Sequence, residues 1–251
     1  MKIACVIPVR MGSSRFPGKP LTPIFGRTMV EHVYQRTALC PGIDAGVHIA
    51  TPDEEIAEAV RKFGGGVIMT SPDHQRASDR VAEAAESLDA DIVVMIQGDE
   101  PLITPEMVEM SFQPLLTDDS IFCTNLVKRI ETLEEYEDRN TIKVVMDHDG
   151  YALYMSREPI PTLLGKRFSE IAAYKQVCII PYPQKALLEF YHMEPTSLEI
   201  AESIDMLRIM EHGKRVKMVE STVVTHAVDW IGDVQTVEKL MENDPVLSLY
   251  T

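Results

Sequence analysis

The sequence predicts an α/β fold: a mostly parallel, Rossmann-like sheet with helices on both faces and a mixed antiparallel extension. Three observations lead there. Ile3–Pro8 reads IACVIP, an apolar run of the kind that fills a sheet centre, and it breaks into a loop of small residues and cations. Short apolar runs then alternate with capped, amphipathic stretches, the pattern of right-handed crossovers in a parallel sheet. In the second half, residues 142–146 and 151–155 flank Asp147-His148-Asp149-Gly150, a hairpin signal with Asp-Gly in the turn.

Taken in order, residues 29–37 carry a helical pattern and 47–50 a short strand. Thr51-Pro52-Asp53-Glu54-Glu55 reads as a helix start, with Thr51 as N-cap, Pro52 at the first position and acids in the first turn. Ile56, Val60 and Phe63 share one face, and Gly64-Gly65-Gly66 stops the helix. A strand follows at 67–69. Ser78 is expected to cap a helix with Val81, Ala85 and Leu88 on one face. Residues 91–96 (DIVVMI) are too few for a buried helix and rich in Ile and Val, so they read as a central strand. Thr104 and Pro105 open the next helix. Beyond the hairpin the pattern predicts a strand at 177–180, a helix at 184–191, a longer helix at 199–212, a strand at 214–224 and a closing helix at 234–242. With no repeat or linker, residues 1–251 read as a single domain whose region at about 125–200 extends over the site.

The chain has 251 residues, 45% of them hydrophobic, which suffices for a buried core. A net charge of -15 argues against nucleic acid or an anionic membrane surface as partner. The apolar run at the start is cut by Arg10, so no signal peptide is expected, and no apolar stretch is long enough to span a membrane. The four cysteines lack C-x-x-C spacing, which argues against a zinc site, and Cys5, Cys123 and Cys178 sit in apolar, strand-like runs and read as reduced core residues. The expected location is cytoplasmic.

Against this acidic background, Arg10, Arg15 and Lys19 concentrate positive charge in the loop after the first strand, beside small residues whose N–H groups can face an anion. The loop is neither a Walker-type phosphate loop nor a G-x-G-x-x-G turn. Gln97-Gly98-Asp99-Glu100-Pro101 follows the central strand and so falls at the same sheet edge. An acid beside phosphates repels them unless a divalent cation intervenes, and Mg²⁺ takes one or two carboxylates with phosphate oxygens. Asp99 is the first expected Mg²⁺ ligand.

The string Pro8, Arg10, Ser14, Arg15, Pro17, Gly18, Lys19, Pro20, Leu21 resembles the opening signature of the sugar nucleotidyltransferases, most closely the cytidylyltransferases that activate 3-deoxy-manno-octulosonate (Kdo). The QGDEP string matches the same family. So does Val228-Asp229, which in the family supplies a second Mg²⁺ ligand, although Asp233 is a rival here. Residues 71–80 resemble the family's loop near the nucleotide base, carrying over Asp73, His74, Ser78 and Arg80. Residues 140–145 and 150–157 resemble segments that bring Lys143 and Arg157 to the sugar acid or the phosphates.

The resemblance implies a GT-A-like nucleotidyltransferase that moves CMP from CTP to a 3-deoxy-ulosonic acid for lipopolysaccharide sugar activation. It also implies Mg²⁺ on Asp99 and Asp229, catalysis by Arg10, Lys19 and Asp99, a nucleotide site of Pro8, Arg10, Arg15, Lys19, Asp73, Ser78, Arg80 and Gln97, and a homodimer to which the 125–200 extension contributes. A different acid acceptor, or a CTP-binding relative without catalysis, is the alternative.

The acceptor side departs from the family. An Arg-His pair becomes Lys175-Gln176, and a Gln becomes Met206, while Glu199, Glu202 and Arg208 hold. A site that bonds a particular hydroxyl rejects analogues strongly, so these changes are expected to favour a modified acid such as 8-amino-Kdo over Kdo, with Glu199 and Glu202 receiving the cation.

Overall fold

In the computed structural model, which describes residues 1–12 and 16–251, the apolar run Ile3–Pro8 forms strand β1. Pro23–Ile24 (β2) and Arg27–Thr28 (β3) pair as a small antiparallel ribbon. Helix α1, Met29–Ala38, starts where Thr28 accepts the Glu31 N–H. There follow β4 (Val47–Thr51), α2 (Glu54–Lys62), β5 (Gly66–Met69), α3 (Ala77–Ala85), β6 (Ile92–Ile96) and α4 (Pro105–Phe112). Next come β7 (Cys123–Arg129), α5 (Leu133–Glu137), β8 (Lys143–Met146), β9 (Ala152–Ser156), β10 (Tyr174–Val177), β11 (Ile179–Pro183), α6 (Gln184–Tyr191), α7 (Ser197–Glu202), α8 (Met206–Glu211), β12 (Val216–Glu220) and α9 (Ile231–Met241).

The chain forms two units, one of Met1–Met110 with Val224–Thr251 and one of Ser111–Val223. The extension expected at about 125–200 falls inside the second. In the first unit, parallel strands run in the order β6-β1-β4-β5. The chain moves outward from β1 to β4 and β5, then returns to lay β6 on the other side. The order therefore reverses between β1 and β6, and a crevice outside the C-terminal ends of those strands is where open α/β sheets bind ligands. The loops after β1 and after β6 both arise there. Phe16, Ile24, Met29, Leu102, Val228, Val237 and Met241 form a buried cluster that anchors the end of the first loop and α9.

The second unit holds a mixed sheet in the order β12-β7-β10-β8-β9. β10 is antiparallel to β7 and β8, β8 is antiparallel to β9, and β12 is parallel to β7. The expected hairpin is β8–β9, with Gly150 at φ +74 in the turn. Among the described residues no helix is long and apolar enough to cross a membrane.

Several local expectations are corrected. Thr51 ends β4, and Asp53 stands at the N-cap of α2. Ser78 lies inside the first turn of α3 rather than capping it, since Arg76 is the N-cap. The strand expected at 177–180 is two strands broken at Cys178. The helix expected at 199–212 is α7 and α8, parted by Ser203 at φ +54. The Glu199–Arg208 pair rewards that break: on a continuous helix residues nine apart are about 13 Å apart along the axis, whereas the kink brings the two side chains to 2.6 Å.

Candidate active site

The β1 strand continues past its last paired residue through a bond from Val9 N–H to the Ala50 carbonyl, 3.0 Å. Met11 N–H donates to the Asp53 carboxylate at 2.8 Å, which tethers the start of the loop. Gly18 takes φ +73, a left-handed conformation that glycine adopts without strain, and turns the chain into Lys19. Lys19 then donates from Nζ to Asp99 Oδ2 at 2.6 Å and to the Val228 carbonyl at 2.9 Å. Three chain segments distant in sequence meet at this ammonium.

The turn after β6 is held just as closely. A Cβ on Gly98 would lie 2.1 Å from Val9 Cγ1, so only glycine lets the 97–100 turn sit against the end of β1. Val228 N–H donates to the Asp99 carbonyl at 2.9 Å, and Thr225 Oγ1 donates to Glu100 Oε2 at 2.9 Å. Gln97 stays at the strand end, its carbonyl accepting from Glu100 N–H at 3.3 Å.

Asp229 and Asp233, the rivals for the second metal position, have different surroundings. Asp233 Oδ2 accepts the N–H groups of Asp229 and Trp230 at 2.7 and 2.8 Å, and His226 approaches Oδ1 at 3.3 Å. Burial opposes ionisation of Asp233, but these backbone bonds and His226 outweigh it and hold the pKa below the ordinary carboxylate value. Asp233 is thus engaged as the capping acid of α9, directly beside Asp229.

No group of three His, Cys, Asp or Glu side chains that could hold a metal occurs among the described residues. The donor set nonetheless suits Mg²⁺, which takes few carboxylates and completes its shell with phosphate oxygens and water. The Asp99 carboxylate is a hard oxygen donor that already faces a cation, the Lys19 ammonium, and Asp229 follows Val228, whose carbonyl shares that ammonium.

A pocket of about 130 Å³ opens beside this junction, lined by Pro8, Val9, Arg10, His74, Gln75, Arg76, Ala77 and Arg80. Arg80 is buried and donates to Thr70 Oγ1 at 2.5 Å, to the Ser71 carbonyl at 3.1 Å and to the His74 carbonyl at 3.5 Å. It clamps the loop that carries Asp73. Burial first, and then the like charge of Arg10, lower its pKa. An anion in the pocket would relieve both. His74 meets the Glu83 carboxylate at 2.6 Å, and Glu83 also accepts Ser71 N–H at 2.9 Å. Ser78 is buried at the start of α3. The structure therefore brings Pro8, Arg10, Lys19, Asp73, Ser78, Arg80, Gln97, Asp99 and Asp229 into one unit. Arg15 lies outside the described residues.

The second unit distributes the expected acceptor residues differently. Lys143 is fully buried, and its ammonium donates to the carbonyls of Asp138, Thr141 and Arg157 at 2.7, 2.7 and 2.5 Å. Its donors are spent on the fold. Glu199 is 1% exposed and holds Arg208 through two hydrogen bonds of 2.8 and 2.6 Å. Glu202 accepts from Ser156 Oγ at 2.8 Å, Arg157 N–H at 2.9 Å and Tyr154 Oη at 3.2 Å. Arg157 in turn donates from Nε to the Glu202 carbonyl at 2.7 Å.

Lys175 and Gln176 are neighbours on β10, so their side chains point to opposite faces of the sheet. Lys175 aligns with Lys128 and Lys143 on the adjoining strands and pairs with Glu135 at 2.5 Å. Gln176 donates to Asn125 Oδ1 at 2.6 Å. They do not form one paired contact surface. Asp53, Glu100, Thr225 and Lys128 were not among the expected site residues. Asp53 and Glu100 lay in strings with a local signal, a helix start and QGDEP, whereas Thr225 and Lys128 carried none.

Comparison with known proteins agrees with this geometry. The family description "Cytidylyltransferase" matches residues 4–216. The 3-deoxy-manno-octulosonate cytidylyltransferase of Geobacter metallireducens is 45% identical over 250 residues, covering 96% of this chain and 98% of that protein. The protein of the same name from Geotalea uraniireducens is 44% identical over 246 residues, covering 94% and 98%. A solved structure of CMP:2-keto-3-deoxy-manno-octonic acid synthetase complexed with CTP superposes with a TM-score of 0.88 at 37% identity, over 96% of this chain and 98% of that one.

Proposed function

The chain belongs to the 3-deoxy-manno-octulosonate cytidylyltransferase family and is a nucleotidyltransferase; from that premise we propose that it transfers CMP from CTP to the anomeric hydroxyl of Kdo or a close relative. The acceptor hydroxyl oxygen attacks the α-phosphorus, and its proton passes to solvent. The bond from that phosphorus to the α–β bridging oxygen breaks, and its electron pair leaves on pyrophosphate. The supporting observation is the meeting of Lys19, Asp99 and Val228 at the topological switch point, beside the pocket of Arg10 and Arg80.

Arg10, Arg15 and Lys19 are assigned to the triphosphate, where fixed cations offset charge developing on the leaving pyrophosphate. Arg80 holds the 70–74 loop against Arg10, and Pro8, Asp73, Ser78 and Gln97 are assigned to the nucleotide. Asp99 and Asp229 are assigned to Mg²⁺, which when bound would act as a Lewis acid on the α-phosphate. Asp229 is preferred because Asp233 already caps α9. Positioning and charge do the chemical work, with no covalent intermediate. The enzyme is assigned to the cytoplasm as a homodimer.

Lys175 and Arg157 remain the proposed contacts for the sugar acid, with Lys143 supporting Arg157 through its carbonyl. The second reading, 8-amino-Kdo as preferred acceptor, draws on Gln176 standing where the family has His. Glu199 supports it less, since its carboxylate already serves Arg208. The decisive experiment is pyrophosphate release with CTP, Mg²⁺ and either acid. Release that needs an ulosonic acid and prefers CTP over ATP and GTP is expected. Equal rates with all nucleotides would refute cytidylyl transfer. A preference for Kdo that Gln176→His leaves unchanged would eliminate the amino-sugar reading.

A further inference from the structure

We propose that Glu100 and Thr225 are positioning residues for this reaction, their buried hydrogen bond fixing where Asp229 stands relative to Asp99. The inference rests on the assignment of Asp99 and Asp229 to the metal.

Residues 221–230, which carry Asp229, form no helix or strand. A segment without regular structure has no ladder to fix it, so its placement depends on the burial of Val228 and on individual bonds, Asp229 N–H to Asp233 Oδ2 at 2.7 Å among them. Two of them reach the 97–100 turn: Val228 N–H to the Asp99 carbonyl and Thr225 Oγ1 to Glu100 Oε2, both 2.9 Å. A third runs from Lys19 to the Val228 carbonyl. That last bond shares its ammonium with Asp99, and the ammonium is the group assigned to the triphosphate. Once Lys19 turns to a bound nucleotide, the other two bonds remain.

Glu100 is 5% exposed and Thr225 is 7% exposed. Burying a carboxylate is costly unless hydrogen bonds satisfy it, and Thr225 Oγ1 supplies one of those bonds. The Glu100–Thr225 bond ties the carboxylate-bearing turn to the segment that ends in Asp229, just as second-layer partners orient metal ligands elsewhere.

The test uses Thr225→Val, which keeps the shape and removes the donor, and Thr225→Ser, which keeps the hydroxyl. Four quantities are measured for each: kcat, KM for CTP, thermal midpoint, and Mn²⁺ affinity by electron paramagnetic resonance with CTP present and acceptor absent. Thr225→Val is expected to lose roughly tenfold or more in kcat and in Mn²⁺ affinity, with KM for CTP little changed. Thr225→Ser is expected to recover both. Wild-type Mn²⁺ affinity and kcat in Thr225→Val would overturn the proposal, as would a loss that Thr225→Ser fails to recover. Asp99→Asn is the control. If it kept wild-type Mn²⁺ affinity, the metal assignment would fail and the proposal with it. If it lost affinity while Thr225→Val did not, only the positioning role would fail.

Discussion

The Lys19 ammonium lies 2.6 Å from the Asp99 carboxylate and donates as well to the Val228 carbonyl. Both partners of this pair are partly shielded, with side chains 14% and 23% exposed. The cation assigned to the phosphates and the carboxylate assigned to the metal thus neutralise each other. A nucleotide arriving with its metal offers each of them a new partner.

Loss of the Lys19 charge should therefore fall on catalysis. Lys19→Ala is expected to lower kcat/KM by about 3 kcal/mol, the scale seen when one preorganised charge-stabilising group is removed. The thermal midpoint should fall as well, because Asp99 and the Val228 carbonyl lose their donor in a mostly shielded site. Steady-state kinetics beside a melting curve check this.

The three acids near the junction should separate by readout. Asp99→Asn and Asp229→Asn are expected to remove most turnover while the protein stays folded. Asp233→Asn should instead cost about 1 kcal/mol of stability, because it weakens the acceptor at the start of α9. If Asp233→Asn abolished turnover and Asp229→Asn did not, the ligand assignment would be reversed.

Gly98→Ala should be felt at a distance. The added Cβ meets Val9 Cγ1 at 2.1 Å, so the turn or the end of β1 has to shift. Overpacking of this kind costs about 1–3 kcal/mol, and the shift carries Asp99 with it. Denaturant midpoint and kcat should both fall.

Arg208→Met should destabilise by about 3–5 kcal/mol, because it strands Glu199 buried without its partner. The joint change Glu199→Leu with Arg208→Met should cost far less. Urea titration distinguishes the two. A rise in acceptor KM for Glu199→Gln without loss of stability would return Glu199 to the sugar site.

His32 makes stability depend on pH. It is buried, with Nδ1 2.8 Å from Tyr250 Oη and Nε2 2.7 Å from the Ile24 carbonyl. Nε2–H donates to the Ile24 carbonyl, so in the neutral ring Nδ1 accepts from the Tyr250 hydroxyl, whose oxygen also accepts from Arg36 Nε at 2.9 Å. Burial outweighs the Ile24 bond and, with Arg36 nearby, keeps the pKa below 6.5. The unfolded chain then binds a proton that the folded chain refuses. Stability is full above about 6.5 and declines as pH falls toward the depressed folded value. Urea midpoints at pH 7.5 and 5.5 should differ less in His32→Gln than in the wild type.

The parallel sheet was readable because its strands are continuous apolar runs and its helices carry local stop and start signals. Residues 91–96 and the Thr104-Pro105 start needed no knowledge of distant neighbours. The broken helix at 199–212 was not readable, since the Glu199–Arg208 pair that rewards the kink forms only in three dimensions. Strand β7 was legible only as the apolar, strand-like run around Cys123. Its extent was hidden because Thr124, Asn125 and Lys128 are polar yet buried, and burial on both faces leaves no alternation to read.

By itself the sequence determined the chemistry available at one sheet edge. Arg10, Lys19 and Asp99 follow buried strands, and strand polarity alone delivers them to the same side. Only the tertiary structure decided which charges are free to act and which are spent. It set Lys143 on three carbonyls, Glu199 on Arg208 and Asp233 on the α9 amides, and it turned Lys175 and Gln176 to opposite faces of β10. The physical reason is that a charged side chain signals its type in sequence. Its partner is set by burial, because a charge removed from water must bind whatever the fold brings within reach.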